Sequence, residues 1–234
     1  MTEGALIVLQ ARMGSQRLPG KALAPIAGKP IVLRCVDRLR ACDVAPVVLA
    51  TTTNAQDDEL VDVAAAYGVP VFRGPEDDVL HRFVLAASHF GADLVVRATA
   101  DNPAVDLEVT RRVVEVLLRT GVDCVVEQAL PYGATVEAVT TEALVHADHV
   151  ADEATDREHV TPLIRRDRRF RSLEVLAPPS LRRPDVRLTV DTLYDLTYMR
   201  SLMALLGDPA TEPTLAEVIA AADSLRTRQA VEVR

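Results

Sequence analysis

Three cations, Arg12, Arg17 and Lys21, stand in the segment QARMGSQRLPGK, among Gly14, Pro19 and Gly20 and directly after the apolar run ALIVLQ. Glycines let a backbone approach a ligand closely, and free loop amides can face phosphate oxygens. Arginine offers a phosphate a planar fork, and lysine a mobile point charge. Together the three can neutralise a triphosphate; the competing reading is a solvated basic loop with scattered surface ion pairs. Neither of the widespread phosphate loops fits. A P-loop has a shorter gap between its glycines and follows its lysine with Ser or Thr, whereas Ala22 follows Lys21 here. The dinucleotide fingerprint G-x-G-x-x-G is absent.

A triphosphate site needs a metal, and Mg2+ takes oxygen ligands while keeping some of its waters. Asp101 follows LVVRATA and Asp191 ends VRLTV, each where a strand is expected to stop. Two carboxylates from separate strands could converge on one ion. The competing reading makes each a helix cap, Asp191 for a helix from Leu193. Asp106 reads as the cap of a helix from Leu107, and Asp57, Asp58, Asp77 and Asp78 as acids near helix N-termini. No G-x-S-x-G elbow occurs, and no H-E-x-x-H spacing among the five histidines. His146 and His149 carry no ligand pattern around them. His159, crowded by Arg157 and Glu158, is of more interest, with a structural hydrogen bond as the alternative.

These residues need a frame to hold them. ALIVLQ, APVVLATTT, VPVFRG, ADLVVRATAD and DCVVEQ read as short buried strands. Between them PIVLRCVDRLRAC, AQDDELVDVAAAYG, DDVLHRFVLAASHFG and DLEVTRRVVEVLLRTG read as helices, several closed by glycine. This alternation predicts an α/β fold, a mostly parallel central sheet with helices on both faces. Ligands of such sheets bind beyond the carboxyl ends of the strands, which gathers the loops after Leu9, Ala50 and Ala98 on one edge. Downstream, ATVEAVT, FRSLEVLAP and VRLTV are expected strands. TEALVHADHVAD and the stretch after Asp191 are expected helices, REHVTPLIRRD is a helix interrupted near Pro162, and TLAEVIAAADSL is a terminal helix. One domain over residues 1–234 is expected, with about 128–180 forming a small β-containing lobe or dimerisation arm on the acceptor side.

Composition narrows the function classes. The chain has 234 residues, 49% hydrophobic, with net charge −8 and a basic loop as the exception. That balance argues against a nucleic-acid binder and for a small anionic ligand. Cys35, Cys42 and Cys124 lack metal-ligand spacing and read as reduced thiols of a cytoplasmic protein. No apolar run approaches the roughly 18–20 residues of a membrane span, and the N-terminus has no signal-peptide layout.

The segment ALIVLQARMGSQRLPGKALAPIAGKPIVLR closely resembles the start of the spore-coat-polysaccharide F-type cytidylyltransferases, relatives of the enzymes that activate octulosonate and sialic acids as CMP derivatives. The similarity continues through VVLATTTNAQDDEL, GVPVFRGPEDDVLHRF, ADLVVRATADNPAVD, REHVTPLIR and VRLTVDTLYDL. The resemblance implies a nucleotide-diphospho-sugar-transferase-like, Rossmann-related fold, CTP as donor, Mg2+ as cofactor and a homodimer. It puts Gln10, Ala11, Arg12, Gly14, Arg17 and Lys21 around the triphosphate and Asp101 and Asp191 on the metal. Thr51, Thr52, Asn54 and Arg73 fall in segments similar to its base and ribose contacts. Two departures stand out: TADNP replaces the family's TGDCP, and ATVE replaces LDVE, so Thr135 stands for an acid while Glu137 is retained.

The implied reaction is in-line attack of an acceptor oxygen on the α-phosphorus of CTP, with release of pyrophosphate. The neutral Thr135 lowers repulsion of an anion. That favours a small anionic acceptor, a phosphonate such as phosphonoformate or a phosphate, over a sugar acid, with Thr135, Glu137, Arg157 and His159 on the acceptor side. No general base is apparent, and a sugar hydroxyl would need activation by metal or by a carboxylate such as Glu137. Two rivals are a glycosyltransferase using a nucleotide sugar, whose usual D-x-D motif is absent, and a non-catalytic nucleotide-binding protein.

Overall fold

The computed structural model describes residues 1–207 and 212–232. β1 (Ala5–Gln10) leads into the basic loop, which closes on a 3-10 turn at Lys21–Leu23 and a two-residue hairpin, β2 (Pro25–Ile26) and β3 (Lys29–Pro30). α1 (Ile31–Ala41), β4 (Val47–Thr52), α2 (Asp58–Ala66), β5 (Val71–Gly74), α3 (Val79–Phe90), β6 (Leu94–Thr99), α4 (Val109–Thr120) and β7 (Cys124–Gln128) follow in alternation. Then come β8 (Glu137–Thr140), α5 (Thr141–Val150), α6 (Ala154–His159), α7 (Pro162–Arg166), β9 (Ser172–Leu176), α8 (Leu193–Leu206) and α9 (Leu215–Glu232).

The large sheet runs β5-β4-β1-β6-β8-β7-β9. All its pairings are parallel except those of β8, which lies antiparallel between β6 and β7. Side chains alternate across a strand, so a strand covered on both faces must be apolar throughout. β1 obeys this: Ile7 and Leu9 enter a core shared with α1, α2, α4, α8 and α9, while Leu6 and Val8 enter a second core under α3, α5 and α7. Burying one such Val or Leu is worth about 1.5–3 kcal/mol, so a position covered on both faces is the one that favours β1 most. From β1 the chain winds outward through β4 to β5, then returns to place β6 on the other side of β1. The crevice at that reversal is the place where open α/β sheets hold ligands.

Several expectations need correction. VRLTV does not form a strand: residues 186–190 run extended beside Tyr132 with a single bridge, Tyr132 to Arg187. Only Glu137–Thr140 of ATVEAVT joins the sheet. Within residues 128–180, expected as an acceptor-side lobe or dimerisation arm, β8 and β9 extend the central sheet itself. Asp106 caps nothing: it is buried and accepts from Arg112 Nη2 at 2.6 Å, and α4 begins at Val109. Asp57 turns back under the basic loop instead of capping α2, whereas Asp78 does cap α3 through the His81 N–H. Among the described residues no helix is long and apolar enough to cross a membrane.

Candidate active site

A cavity of about 980 Å3 opens at the carboxyl ends of β1 and β6. One end is walled by the basic loop. That loop is pinned where it starts: Asp57, fully buried, accepts from the Met13 N–H at 2.8 Å and from the Thr51 hydroxyl at 2.9 Å. Desolvation pushes the Asp57 carboxyl up, but the donors from Thr52, Met13 and Thr51 outweigh it and hold it below its ordinary range. Gly20 takes φ +72° and donates to the Met13 carbonyl at 3.1 Å, which turns the chain so that Lys21 faces the cavity.

Lys21 Nζ meets Asp101 Oδ2 at 3.1 Å, Asp191 Oδ1 at 3.1 Å and the Val190 carbonyl at 2.9 Å. Both carboxylates are therefore present, converging on one cation. They are tied together through the backbone, since the Val190 N–H donates to the Asp101 carbonyl at 2.8 Å. Asp101 Oδ1 accepts from the Thr99 hydroxyl at 2.6 Å, and Asn102 Nδ2 donates to that same Thr99 oxygen at 2.9 Å. The Asn102 of TADNP thus braces Asp101 through Thr99. Asp191 is not a helix cap. Thr192 caps α8 in a reciprocal box with Asp195, which leaves the Asp191 side chain to the cavity. Arg17 Nη2 meets Asp191 Oδ1 at 2.8 Å and Arg187 Nη2 meets Asp191 Oδ2 at 2.7 Å. Burial pushes the Asp191 carboxyl up, but Lys21, Arg17 and Arg187 overcome it and hold it below its usual value.

The pair fits a divalent ion. Asp101 and Asp191 supply oxygen donors aimed at one point that already carries a positive charge. Among the described residues no group of three or more His, Cys, Asp or Glu gathers as a metal cage, at this pair or away from it. Mg2+ is commonly held by one or two carboxylates, with phosphate oxygens and water completing the shell.

The other end of the cavity is built from separate elements. Arg97 on β6 stands opposite Glu137 on β8 in the antiparallel register, and its Nη1 donates to Glu137 Oε2 at 2.9 Å. The Thr161 hydroxyl donates to the same oxygen at 2.7 Å, and Arg165 Nη1 reaches Glu137 Oε1 at 3.4 Å. Between α6 and α7 the fully buried Val160 takes φ +73° and ψ −58°, spanned by a Thr161 N–H to His159 carbonyl bond of 2.9 Å. This is the rare, strained γ-turn, costing of order 1–3 kcal/mol for a non-glycine residue. It turns His159 to the cavity and the Thr161 hydroxyl to Glu137. Thr135 lines the same end, with its hydroxyl 3.2 Å from both the Glu127 and Val136 carbonyls. Gly133 is required nearby, since a Cβ there would stand 2.9 Å from the Thr189 nitrogen at φ +92°.

The structure gathers Gln10, Ala11, Arg12, Gly14, Arg17, Lys21, Asp101, Asp191, Thr135, Glu137 and His159 around one cavity. Five expected residues lie outside its lining. Thr51 and Thr52 are fully buried, with hydroxyls committed to Asp57. Asn54 donates to Glu76, and Arg73 binds the Thr52 and Asn54 carbonyls and Asp58. These four form a buckle between β4 and β5. Arg157 is held by Asp78 at 2.9 Å and Asp148 at 2.6 Å, so it locks α3 to α5 and α6. Glu137, expected to be free to act as a base, has both oxygens engaged. Sequence reasoning missed Arg97, Arg165 and Arg82. The signal for two of them was present: Arg97 interrupts the apolar strand LVVRAT, and Arg82 falls on the apolar face of VLHRFVLAA. The cysteines offer no nucleophile, because burial pushes Cys124 up to about 12 and Cys35 and Cys42 upward also.

Comparison with known proteins agrees with this geometry. The family model described as cytidylyltransferase matches residues 6–230. The chain is 34% identical to the spore coat polysaccharide biosynthesis protein SpsF of Bacillus subtilis, over 87% of this chain and 88% of that one. A cytidylyltransferase from Leptospira borgpetersenii superposes with a TM-score of 0.88 at 27% identity, covering 96% of this chain and 95% of that chain. A CMP:2-keto-3-deoxy-manno-octonic acid synthetase solved with CTP shares the fold, with a TM-score of 0.63 at 21% identity, covering 86% and 99% respectively.

Proposed function

The chain belongs to the cytidylyltransferase family, and from that premise we propose that it transfers CMP from CTP to a small anionic acceptor and releases pyrophosphate. The observation that carries this reading is the meeting of Lys21 and Arg17, from one basic loop, with Asp101 and Asp191 in a single cavity. An acceptor oxygen bonds to the α-phosphorus as the bond from that phosphorus to the α–β bridging oxygen breaks, and the electron pair leaves with pyrophosphate. Lys21, Arg17 and Arg12 stabilise the charge that grows on the leaving group, aligned before the reaction rather than during it. Phosphate oxygens compete for Lys21 and Arg17 against Asp191, which keeps Arg187 as a partner when they shift. Asp101 and Asp191 would hold Mg2+, which when bound supplies Lewis-acid polarisation of phosphoryl oxygens.

Glu137 suits the holding of Arg97 and Arg165 rather than proton removal. With both Glu137 oxygens engaged, an acceptor whose nucleophilic oxygen is already anionic is favoured. A phosphonate, phosphonoformate for example, or a phosphate meets that condition; a sugar acid attacking through a hydroxyl does not. Pyrophosphate release from CTP and Mg2+ with a panel of phosphonates, phosphates and 3-deoxy-octulosonate tests this. Release only with the sugar acid overturns the acceptor assignment, and release with none overturns the transferase reading. The homodimer belongs to the same proposal, and sedimentation velocity decides it.

A further inference from the structure

Resting on the nucleotidyl-transfer reading above, we propose that Arg82 is a substrate-binding residue of this site: beside Arg12 it completes a two-guanidinium clasp for the oxygens of a phosphoryl or carboxylate group. Arg82 projects from the first turn of α3, is 1% exposed and lines the cavity. Its Nη1 donates to the Pro75 carbonyl at 2.7 Å, its Nε is buried without a partner, and no acid pairs with it among the described residues. A place has been cleared for its stem: a Cβ on Gly74 would stand 2.9 Å from Arg82 Cγ. Arg12 is no better satisfied, with Glu76 at 3.9 Å and Glu158 at 3.7 Å, both beyond hydrogen-bond reach. Burial and the neighbouring charge of Arg12 together pull the Arg82 guanidinium down to about 10.

A buried cation without a counter-charge destabilises a fold, and placing a second cation beside it adds repulsion. Arg38 shows what a structural arginine looks like in this protein. Equally buried and also left with one unpartnered nitrogen, Nη2, it gives Nε to the Val105 carbonyl at 2.6 Å and differs from Arg82 in pairing with an acid, Glu212, at 3.4 Å. Arg82 feels Asp57, Glu76 and Asp78 only at a distance, has no acid within ion-pair reach among the described residues, and opens on a cavity where a ligand can supply a paired counter-charge. A guanidinium suits two oxygens of one anionic group at once. That group belongs either to the polyphosphate of the nucleotide or to the acceptor.

Titration calorimetry with inorganic pyrophosphate and Mg2+, together with KM values for CTP and acceptor, separates the two sources in Arg82→Met and Arg82→Lys. If the anion is the polyphosphate, Arg82→Met weakens pyrophosphate binding roughly 10- to 100-fold. If it is the acceptor's group, pyrophosphate binding holds and the acceptor KM rises by a similar factor. In either case the melting temperature of Arg82→Met stays level or rises, because an uncompensated charge has been removed. Arg82→Lys, which keeps the charge without the fork, recovers part of the binding and carries the same readouts if the Met variant folds poorly. Unchanged pyrophosphate affinity with unchanged KM values overturns the proposal, and a lower melting temperature beside them would mark a structural arginine. Should the wild type release no pyrophosphate with any acceptor, the transferase reading fails separately; the clasp is then judged by calorimetry with pyrophosphate and with inorganic phosphate, and unchanged affinity for both in Arg82→Met overturns it.

Discussion

At one end of the cavity Lys21 and Arg17 come from a single loop and meet Asp101, which is partly open, and Asp191, which is buried. At the other end Arg97, Glu137, Thr161 and Arg165 come from β6, β8 and the α7 region, and their shared carboxylate is 7% exposed. The first arrangement is exchangeable, because phosphate oxygens can replace a carboxylate on a lysine without disturbing a strand. The second is built into the sheet: Arg97 and Glu137 are a cross-strand pair, and removing either leaves a charge behind. The lysine end should therefore be sensitive in turnover and tolerant in stability. The Glu137 end should show the reverse.

The strongest break in that contrast would come from Asp101→Asn. It is expected to lower kcat/KM by about 100- to 1,000-fold, the scale of losing one aligned electrostatic group, with little change in melting temperature. Pyrophosphate release near the wild-type rate would end the claim. Glu137→Ala is the counterpart, expected to cost about 3–5 kcal/mol of folding stability, as for a buried pair that loses one partner. A urea midpoint like that of the wild type would show that the network is not structural. Adding Arg97→Met to Glu137→Ala should restore part of the loss. Lys21→Ala comes next, raising the KM for CTP by roughly 10- to 100-fold while the midpoint moves little.

The smallest effect is one of pH. Desolvation pushes Asp195 up, yet Arg187 and the Thr192 donors overcome it and hold it at about 2. A depressed carboxyl stabilises the fold above its unfolded pKa of about 3.9 and loses that contribution as pH falls toward about 2. Asp195→Asn should therefore melt lower than the wild type at pH 6 and lose less between pH 5 and 2. Parallel melting curves across that range would show that Asp195 contributes nothing of the kind.

The same contrast explains what could be read in the chain beforehand. The lysine end was legible because its cations are contiguous and its carboxylates close apolar runs, so local spacing carried the geometry. Even there Asp191 was read off a strand that does not form; the residue reaches its place through backbone bonds to Asp101 and Tyr132 instead. The Glu137 end was legible only in part: Thr135, Glu137 and His159 were named, but Arg97 meets Glu137 through the register of β6 on β8, and Thr161 and Arg165 reach it from the α7 region. An antiparallel strand inserted between parallel ones leaves no local mark in the sequence. Arg157 misled for a related reason. It neighbours Glu158 and His159, but helix geometry turns it the other way, onto Asp78 and Asp148. Thr51, Thr52, Asn54 and Arg73 lie at the right sheet edge, yet their side chains are spent on one another and on Asp57, Asp58 and Glu76.

The insertion of β8 also bears on how such a protein can change. β7 and β8 pair antiparallel, and the chain between them, 129–136, supplies the rim that holds Tyr132, Gly133 and Thr135. The β1–β4–β5 half and its basic loop lie on the far side of β6 and share no strand pairing with that hairpin. The connection is free to vary only where it is not already committed: Gly133 and Tyr132 hold the segment that leads to Asp191, Leu130, Ala134 and Val136 are buried, and Glu137 must keep its place opposite Arg97. A one-residue slip would turn Glu137 to the opposite face of the sheet. Diversification at this rim is thus strict in register and narrow in position, and a library confined to Thr135 should shift acceptor choice while the response to CTP stays fixed.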